Sequence, residues 1–294
     1  MTLSQTSTAC IGPISADDVR VAGEFACRWL RTIDPPCPRA NRFEQYLPLL
    51  SRRHTPHEAR AVRQIADAYV SSLQLYFTLA FTDWQAPARG MLDRLIGGSP
   101  AGGYSENAAP WDAQAELFSY AALHASGLAD VRFAEPDLLI PAGPSAVGVA
   151  VKRLTTGSVS SAIRRLRRAR QQLKRQAVRG IAAMEIAVPP TTLYGASELN
   201  PLEPLAQALN AVIVRRQYYD ALLGFILFRM QPAGPRTGDS AGVLHLDIAV
   251  RAWLYGEESD AAASLADWVA ARGRRLATNL ALALDQLRIA RGTA

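Results

Sequence analysis

Residues 16–33 place Val19, Val21, Ala22, Phe25, Ala26, Trp29 and Leu30 at the spacing of an amphipathic helix. Prolines at 35, 36 and 38 end it, because each ring removes a backbone donor and keeps the residue before it out of the helical region. Thr55, Pro56 and Glu58 read as the N-cap, first and third positions of a long helix reaching about Phe81, and a shorter helix follows near 88–96. The stretch Ile96 to Tyr104, IGGSPAGGY, holds four glycines and a proline and predicts a boundary. Residues 1–98 are therefore expected to form a helical N-terminal region.

Beyond the boundary the pattern becomes mixed. Asp112 to Ser126 reads as a helix packing through Leu117, Phe118, Ala121, Ala122 and Ala125, with Gly127 just past its end. Three short strands follow, at 131–133, 137–140 and 146–153, the last two joined by a Pro-Ala-Gly-Pro turn at 141–144. Gly157 and Ser158 punctuate and cap a helix over about 159–178, with Val159, Ile163, Leu166, Ala169, Leu173 and Ala177 inward. Gly180 stops it, and Ile181 to Val188 predicts a strand that runs parallel to the third, since a helical crossover joins them. A helix near 201–218, strands near 221–230 and 242–254, and helix from about 259 to 290 complete the reading. The expected divisions are 1–98, a core at 108–256 and a C-terminal helical segment at 257–294, within an α/β fold.

The chain has 294 residues, 49% of them hydrophobic and 20% charged, which is enough apolar material for a full core and excludes a disordered or low-complexity chain. The longest uncharged apolar-leaning run, Ala68 to Thr82, spans 15 residues and contains Ser71, Ser72 and Gln74, too short and too polar for a membrane span. The first residues lack the basic and apolar regions of an export signal, so the cytoplasm is the expected compartment, with no membrane partner. Cys10, Cys27 and Cys37 have neither disulfide-framework nor zinc spacing.

Charge is distributed unevenly. From Leu138 to Met184, 47 residues carry ten basic side chains and no acidic one, while the remainder carries 22 basic and 26 acidic groups, a net of −4. Ordinary surface helices interleave acids and bases four residues apart. A field concentrated in one segment suits a polyanion better than a neutral metabolite.

On the third strand, Val147, Val149 and Val151 face one way and Gly148, Ala150 and Lys152 the other, so Lys152 ends a face of small residues with room for a ligand. Asp137, after Glu135 and Pro136, can lie beside it, and Glu116, one step off the apolar stripe of the preceding helix, can reach the same strand edge. Carboxylates with an ammonium beside strong positive charge suit metal-assisted phosphodiester cleavage. His54 and His57 are near enough to share a metal, but a helix start explains that segment. His245 and Asp247 share a strand face read as a solvated sheet edge.

In that order and spacing, Glu116, Glu135-Pro136-Asp137, Ala150-Val151-Lys152-Arg153 and a basic helix with Gln172 resemble the core of the PD-(D/E)XK nuclease superfamily, over about residues 110–190. The resemblance implies a restriction-endonuclease-like αβββαβ core with a mixed sheet, a Mg²⁺ or Mn²⁺ cofactor, and cleavage of DNA ahead of RNA. It assigns Asp137 to the metal, Lys152 to catalysis, Glu116 to the helix carboxylate and Gln172 to the basic helix. The pattern's acidic residue two before the lysine is replaced by Ala150. Glu185, mid-strand among apolar residues, is the candidate replacement as a second metal ligand and catalytic carboxylate; the alternatives for it are a salt bridge to a basic-helix arginine or a site that binds without cutting. Arg153, Arg164, Arg165, Arg168, Gln172 and Arg175 are expected to contact nucleic acid, and a homodimer is a further expectation. Two other classes stay open: a non-catalytic nucleic-acid-binding module and a basic scaffold for an acidic protein.

Overall fold

A computed structural model describes residues 2–32, 41–50, 59–81, 89–98, 109–125, 130–142, 145–187, 202–233 and 243–255, with a few helical residues between 281 and 289. The chain is α/β, built on one mixed seven-stranded sheet. Its strands are β1 (Thr2–Ser15), β2 (Arg132–Ala134), β3 (Asp137–Ala142), β4 (Ser145–Leu154), β5 (Gly180–Ile186), β6 (Leu222–Ala233) and β7 (Val243–Tyr255). They lie in the order β1-β7-β6-β5-β4-β3-β2. The three central strands β4, β5 and β6 are mutually parallel, and every outer pairing is antiparallel. The parallel β4/β5 step follows the helical crossover read in the sequence.

Helices cover both faces. On one side lie α1 (Ala16–Thr32), α2 (Arg42–Leu50), α3 (Ala59–Phe81), α4 (Arg89–Ile96) and α5 (Ala109–Ala125); on the other lie α6 (Val159–Arg175) and α7 (Leu202–Arg216). Strand alternation divides the core accordingly. Val147, Val149 and Val151 of β4 join Ile181 and Ala183 of β5 in the cluster that contains Phe77 and Phe118. Ala150, Ala182 and Met184 join the cluster that contains Leu166, Leu173 and Leu209. Both faces of β5 are fully buried, as expected for a central parallel strand. At its first residue only glycine fits, because a Cβ on Gly180 would stand 1.9 Å from the Gly148 carbonyl oxygen.

Several expectations are corrected. Residues before 98 are not purely helical: β1 is a 14-residue strand that pairs antiparallel with β7 at the sheet edge. Its Thr-, Ser- and Gln-rich sequence lacks the apolar alternation of a half-buried strand. Helix α6 ends at Arg175, before Gly180, because Ala177 takes a left-handed φ of 51°. Its inward stripe is Ala162, Leu166, Ala169 and Leu173, while Val159 is exposed. His245 and Asp247 are buried, so their strand face is no solvated edge. The Thr55 cap, the His54 and His57 pair and most of the expected C-terminal helix lie outside the described residues. None of the described helices is long and apolar enough to cross a membrane.

Candidate functional site

The site forms where two strands part. β3 and β4 pair from Ala142 and Ser145 as far as Leu138 and Val149, and β3 begins at Asp137. β4 continues five residues past that last pair. Its next ladder donor, the Val151 N–H, is taken by the Asp137 side chain, whose Oδ2 accepts it at 2.7 Å. A carboxylate thus stands in for a missing strand.

The same oxygen accepts from Lys152 Nζ at 3.0 Å, and that ammonium also donates to the Val151 carbonyl at 2.7 Å. Oδ1 of Asp137 accepts from Gln172 Nε2 at 2.9 Å, and the Gln172 amide also donates to the Pro136 carbonyl. Gln172 reaches down because α6 packs its Ala169 and Leu173 onto the sheet on either side of it. Helix α6 itself starts at a Ser158 cap whose hydroxyl accepts from the Ser161 N–H.

Glu116 arrives from α5 on the opposite wall. Burial, and then the nearby Asp137 carboxylate, push its carboxyl up to about 7, against the opposing pull of Arg94 and Lys152. Asp112, one turn earlier on α5, is also raised by burial, with Arg153 and Arg165 pulling it back. Between these walls lies a cleft of about 680 Å³. Its floor includes Lys152 and Arg153, its acidic wall Asp112 and Glu116, and its basic wall Arg165, Arg168, Lys174 and Arg175.

Asp137, Lys152, Gln172 and Glu116 are therefore brought together from β3, β4, α6 and α5. Arg153, Arg165, Arg168 and Arg175 line the cleft as well. Arg164 does not: it is exposed and sits 3.5 Å from the Ser161 hydroxyl. The remaining departure is Glu185. The β4/β5 register sets Ala182 beside Ala150 and Glu185 beside Arg153, and alternation turns Glu185 to the α3/α5 side of the sheet. Its Oε2 accepts from Arg153 Nε at 2.8 Å and its Oε1 from Gln74 Nε2 at 2.8 Å. It is a buried ion-pair partner and not a second ligand beside Asp137. The arginine it pairs with comes from β4, not from the basic helix. Ala150 is wholly buried against the α6/α7 layer and leaves no acid in its place.

No protein-family model, no curated protein and no solved structure matches this chain. The function must be argued from its own side chains.

Among the described residues no three carboxylate, imidazole or thiol groups gather as a ready-made metal site. The donors at hand are two. Asp137 accepts three hydrogen bonds, one short of the roughly four lone-pair positions of a carboxylate. Glu116 has a carboxyl shifted upward by burial and by the nearby Asp137 carboxylate. Mg²⁺ is usually held by one or two carboxylates together with substrate phosphates and water, and Asp137 with Glu116 fits that shared arrangement. They do not suffice for a site that fills without a phosphate ligand.

Asp112, Arg94 and Lys174 were missed from sequence. Asp112 and Glu116 stand four apart on one helix, and that spacing puts them on a common face. Lys174 belongs to the basic run already noted. Arg94 gave no local signal, because it reaches Glu116 (3.7 Å) only through the packing of α4 on α5.

Proposed function

We propose that the cleft binds the sugar-phosphate backbone of a nucleic acid, DNA ahead of RNA, and hydrolyses its phosphodiester bonds with a divalent ion. One observation carries this reading. The Asp137 carboxylate accepts from the Lys152 ammonium and the Gln172 amide, and those two donors line a cleft with Glu116 on one wall and arginines on the other.

The basic wall of α6 supplies sequence-independent attraction for phosphates, with counterion release as its driving force. Lys152 has three N–H donors; Asp137 and the Val151 carbonyl take two, so a third can meet a phosphate oxygen at the scissile position. Gln172 and the Val151 N–H fix the Asp137 carboxylate in one orientation. Glu116 adds a second carboxylate on the acidic wall beside Asp112. Asp137, Glu116 and the bound phosphate would hold Mg²⁺, which would supply charge neutralisation and a more acidic water.

A second reading is favoured by Ala150. With no carboxylate there, the protein would bind the backbone and leave it intact. The test is incubation of plasmid, single-stranded DNA and RNA with Mg²⁺ or Mn²⁺ and with wild type, Asp137→Ala or Lys152→Ala. Cleavage by wild type alone is expected. Intact substrates with retained, salt-dependent binding would replace the first reading by the second. Absence of salt-dependent binding would overturn both and favour a protein partner.

A further inference from the structure

Of the seven cations that line the cleft among the described residues, six come from β4 and α6, and the seventh, Arg94, comes from α4 on the acidic wall. Helix α4 turns Leu92, Leu95 and Ile96 into the core and leaves the Arg94 side chain 49% exposed. Its last turn is pinned from within. Arg42 Nη2 of α2 donates to the Leu95 carbonyl at 3.0 Å and to Gln114 Oε1 of α5 at 2.8 Å. Gln114 Nε2 donates in turn to Gln74 Oε1 of α3 at 2.5 Å, so the pin belongs to a chain of buried amides. The backbone that carries Arg94 is thus held against α5, while the exposed side chain can swing.

In the unliganded cleft the Arg94 guanidinium is turned to Glu116. Its Nη2 stands 3.7 Å from Glu116 Oε2, within reach of an ion pair and beyond that of a hydrogen bond. A pair so long and so open to water is weak, a factor of about five in an equilibrium constant at most. A phosphate offers the same guanidinium a bidentate geometry, and charge-assisted hydrogen bonds to it are worth a factor of about ten or more. The exchange therefore runs towards the phosphate.

We infer that Arg94 is the phosphate contact of the acidic wall, and that it leaves Glu116 for a backbone phosphate as the nucleic acid enters. The inference rests on the nucleic-acid reading above and adds to it a contact from the N-terminal helices. A bound backbone then crosses the cleft from α6 to α4, and neither layer alone holds it.

The exchange has a signature that plain charge counting lacks. Glu116→Gln removes one negative charge, and by long-range electrostatics alone it tightens polyanion binding by the same factor with or without Arg94. A carboxylate that also holds Arg94 back gives a larger gain where Arg94 is present. The experiment is anisotropy titration of a fluorescein-labelled DNA duplex, and of its single strand, against full-length wild type, Arg94→Met, Glu116→Gln and the double variant. It is run over a range of KCl in EDTA at pH 9, where the Glu116 carboxyl, standing at about 7, is ionised, with thermal melts as fold controls. Glu116→Gln should tighten binding about threefold more in the wild-type background than in the Arg94→Met background. Within the Glu116→Gln background, Arg94→Met should weaken binding about tenfold and lower the slope of log K against log salt on the duplex by about 0.9, the share of one phosphate contact. Should Glu116→Gln fail to fold, Glu116→Ala takes its place in the cycle. A gain no larger in the wild-type background than in the Arg94→Met background, or a slope that Arg94→Met leaves unchanged, would overturn the role of Arg94 and leave the nucleic-acid reading standing. A wild type that binds neither strand would overturn both.

Discussion

Lys152 and Arg153 are consecutive cations at the end of one strand, each paired with one carboxylate, and the two pairs differ in almost everything else. Lys152 and Asp137 meet at the cleft, with side chains 15% and 13% exposed, at the mouth left where β3 stops. Arg153 and Glu185 meet on the other face of the sheet, 5% and 8% exposed, within a chain of amides. Strand alternation alone sends neighbours to these two settings. The half-open pair can exchange its partners for a ligand, whereas the buried pair is locked. In the proposed function the first pair works on the substrate, and the second holds the sheet to the helices above it.

The contrast breaks most sharply on removal of an acid. Glu185→Ala strands a buried guanidinium, and such a loss costs about 3–5 kcal/mol. Asp137→Ala, at a pair nearer water, should cost less, because water can reach the Lys152 ammonium that it leaves. Urea denaturation of the two variants measures the difference, and equal losses would remove the distinction. Activity should reverse the ranking. Asp137→Asn is expected to lower turnover by about a hundred- to a thousandfold, or about 3–4 kcal/mol of transition-state stabilisation. Single-turnover cleavage with saturating protein separates that loss from any loss of binding.

A smaller effect follows from Glu116. Its carboxyl has an ordinary value of 4.5 and stands at about 7 in the fold, so between those values the folded state binds the extra proton. Stability is therefore greatest below about pH 4.5 for this group and is lost as pH rises through about 7, by about 3 kcal/mol at most. Denaturant midpoints in metal-free buffer across that window should fall with pH in wild type, and the slope should flatten in Glu116→Gln. An unchanged slope in the variant would assign the dependence elsewhere.

What could be read from sequence follows from how local each signal is. The order of elements from α5 to β5 was legible because helical period, two-residue alternation and turn residues are all short-range, and Asp137, Lys152, Glu116 and Gln172 sit at fixed places on those elements. Glu185 was recognised as needing a partner, since a carboxylate in Ile-Ala-Ala-Met-Glu-Ile cannot be left alone in a core. Its partner was not legible. Choosing between Ala150 and Arg153 required the β4/β5 register, and a one-residue difference in register exchanges the two faces. Gln74 is the same kind of signal, a polar residue in an apolar helical run, but its contact lies 111 residues away. β1 was missed because its residues lack the apolar alternation by which a strand is recognised, and its pairing partner lies at the far end of the chain.

The finest form of the comparison lies along α6 and concerns single arginines. Arg168 and Arg164, four residues earlier, are both exposed, but only Arg168 of the two lines the cleft. Both carry the same charge, so a diffuse field would weigh them alike. A phosphate held within the cleft would not. Each phosphate contact contributes about 0.9 to the slope of log K against log salt on duplex DNA. Arg168→Ala should therefore reduce the slope by about 0.9 and affinity by several-fold at moderate salt, while Arg164→Ala should change the slope by a small fraction of that. Equal slopes for the two variants would mean that the cation run attracts nucleic acid as a whole and that the cleft has no special hold on the backbone.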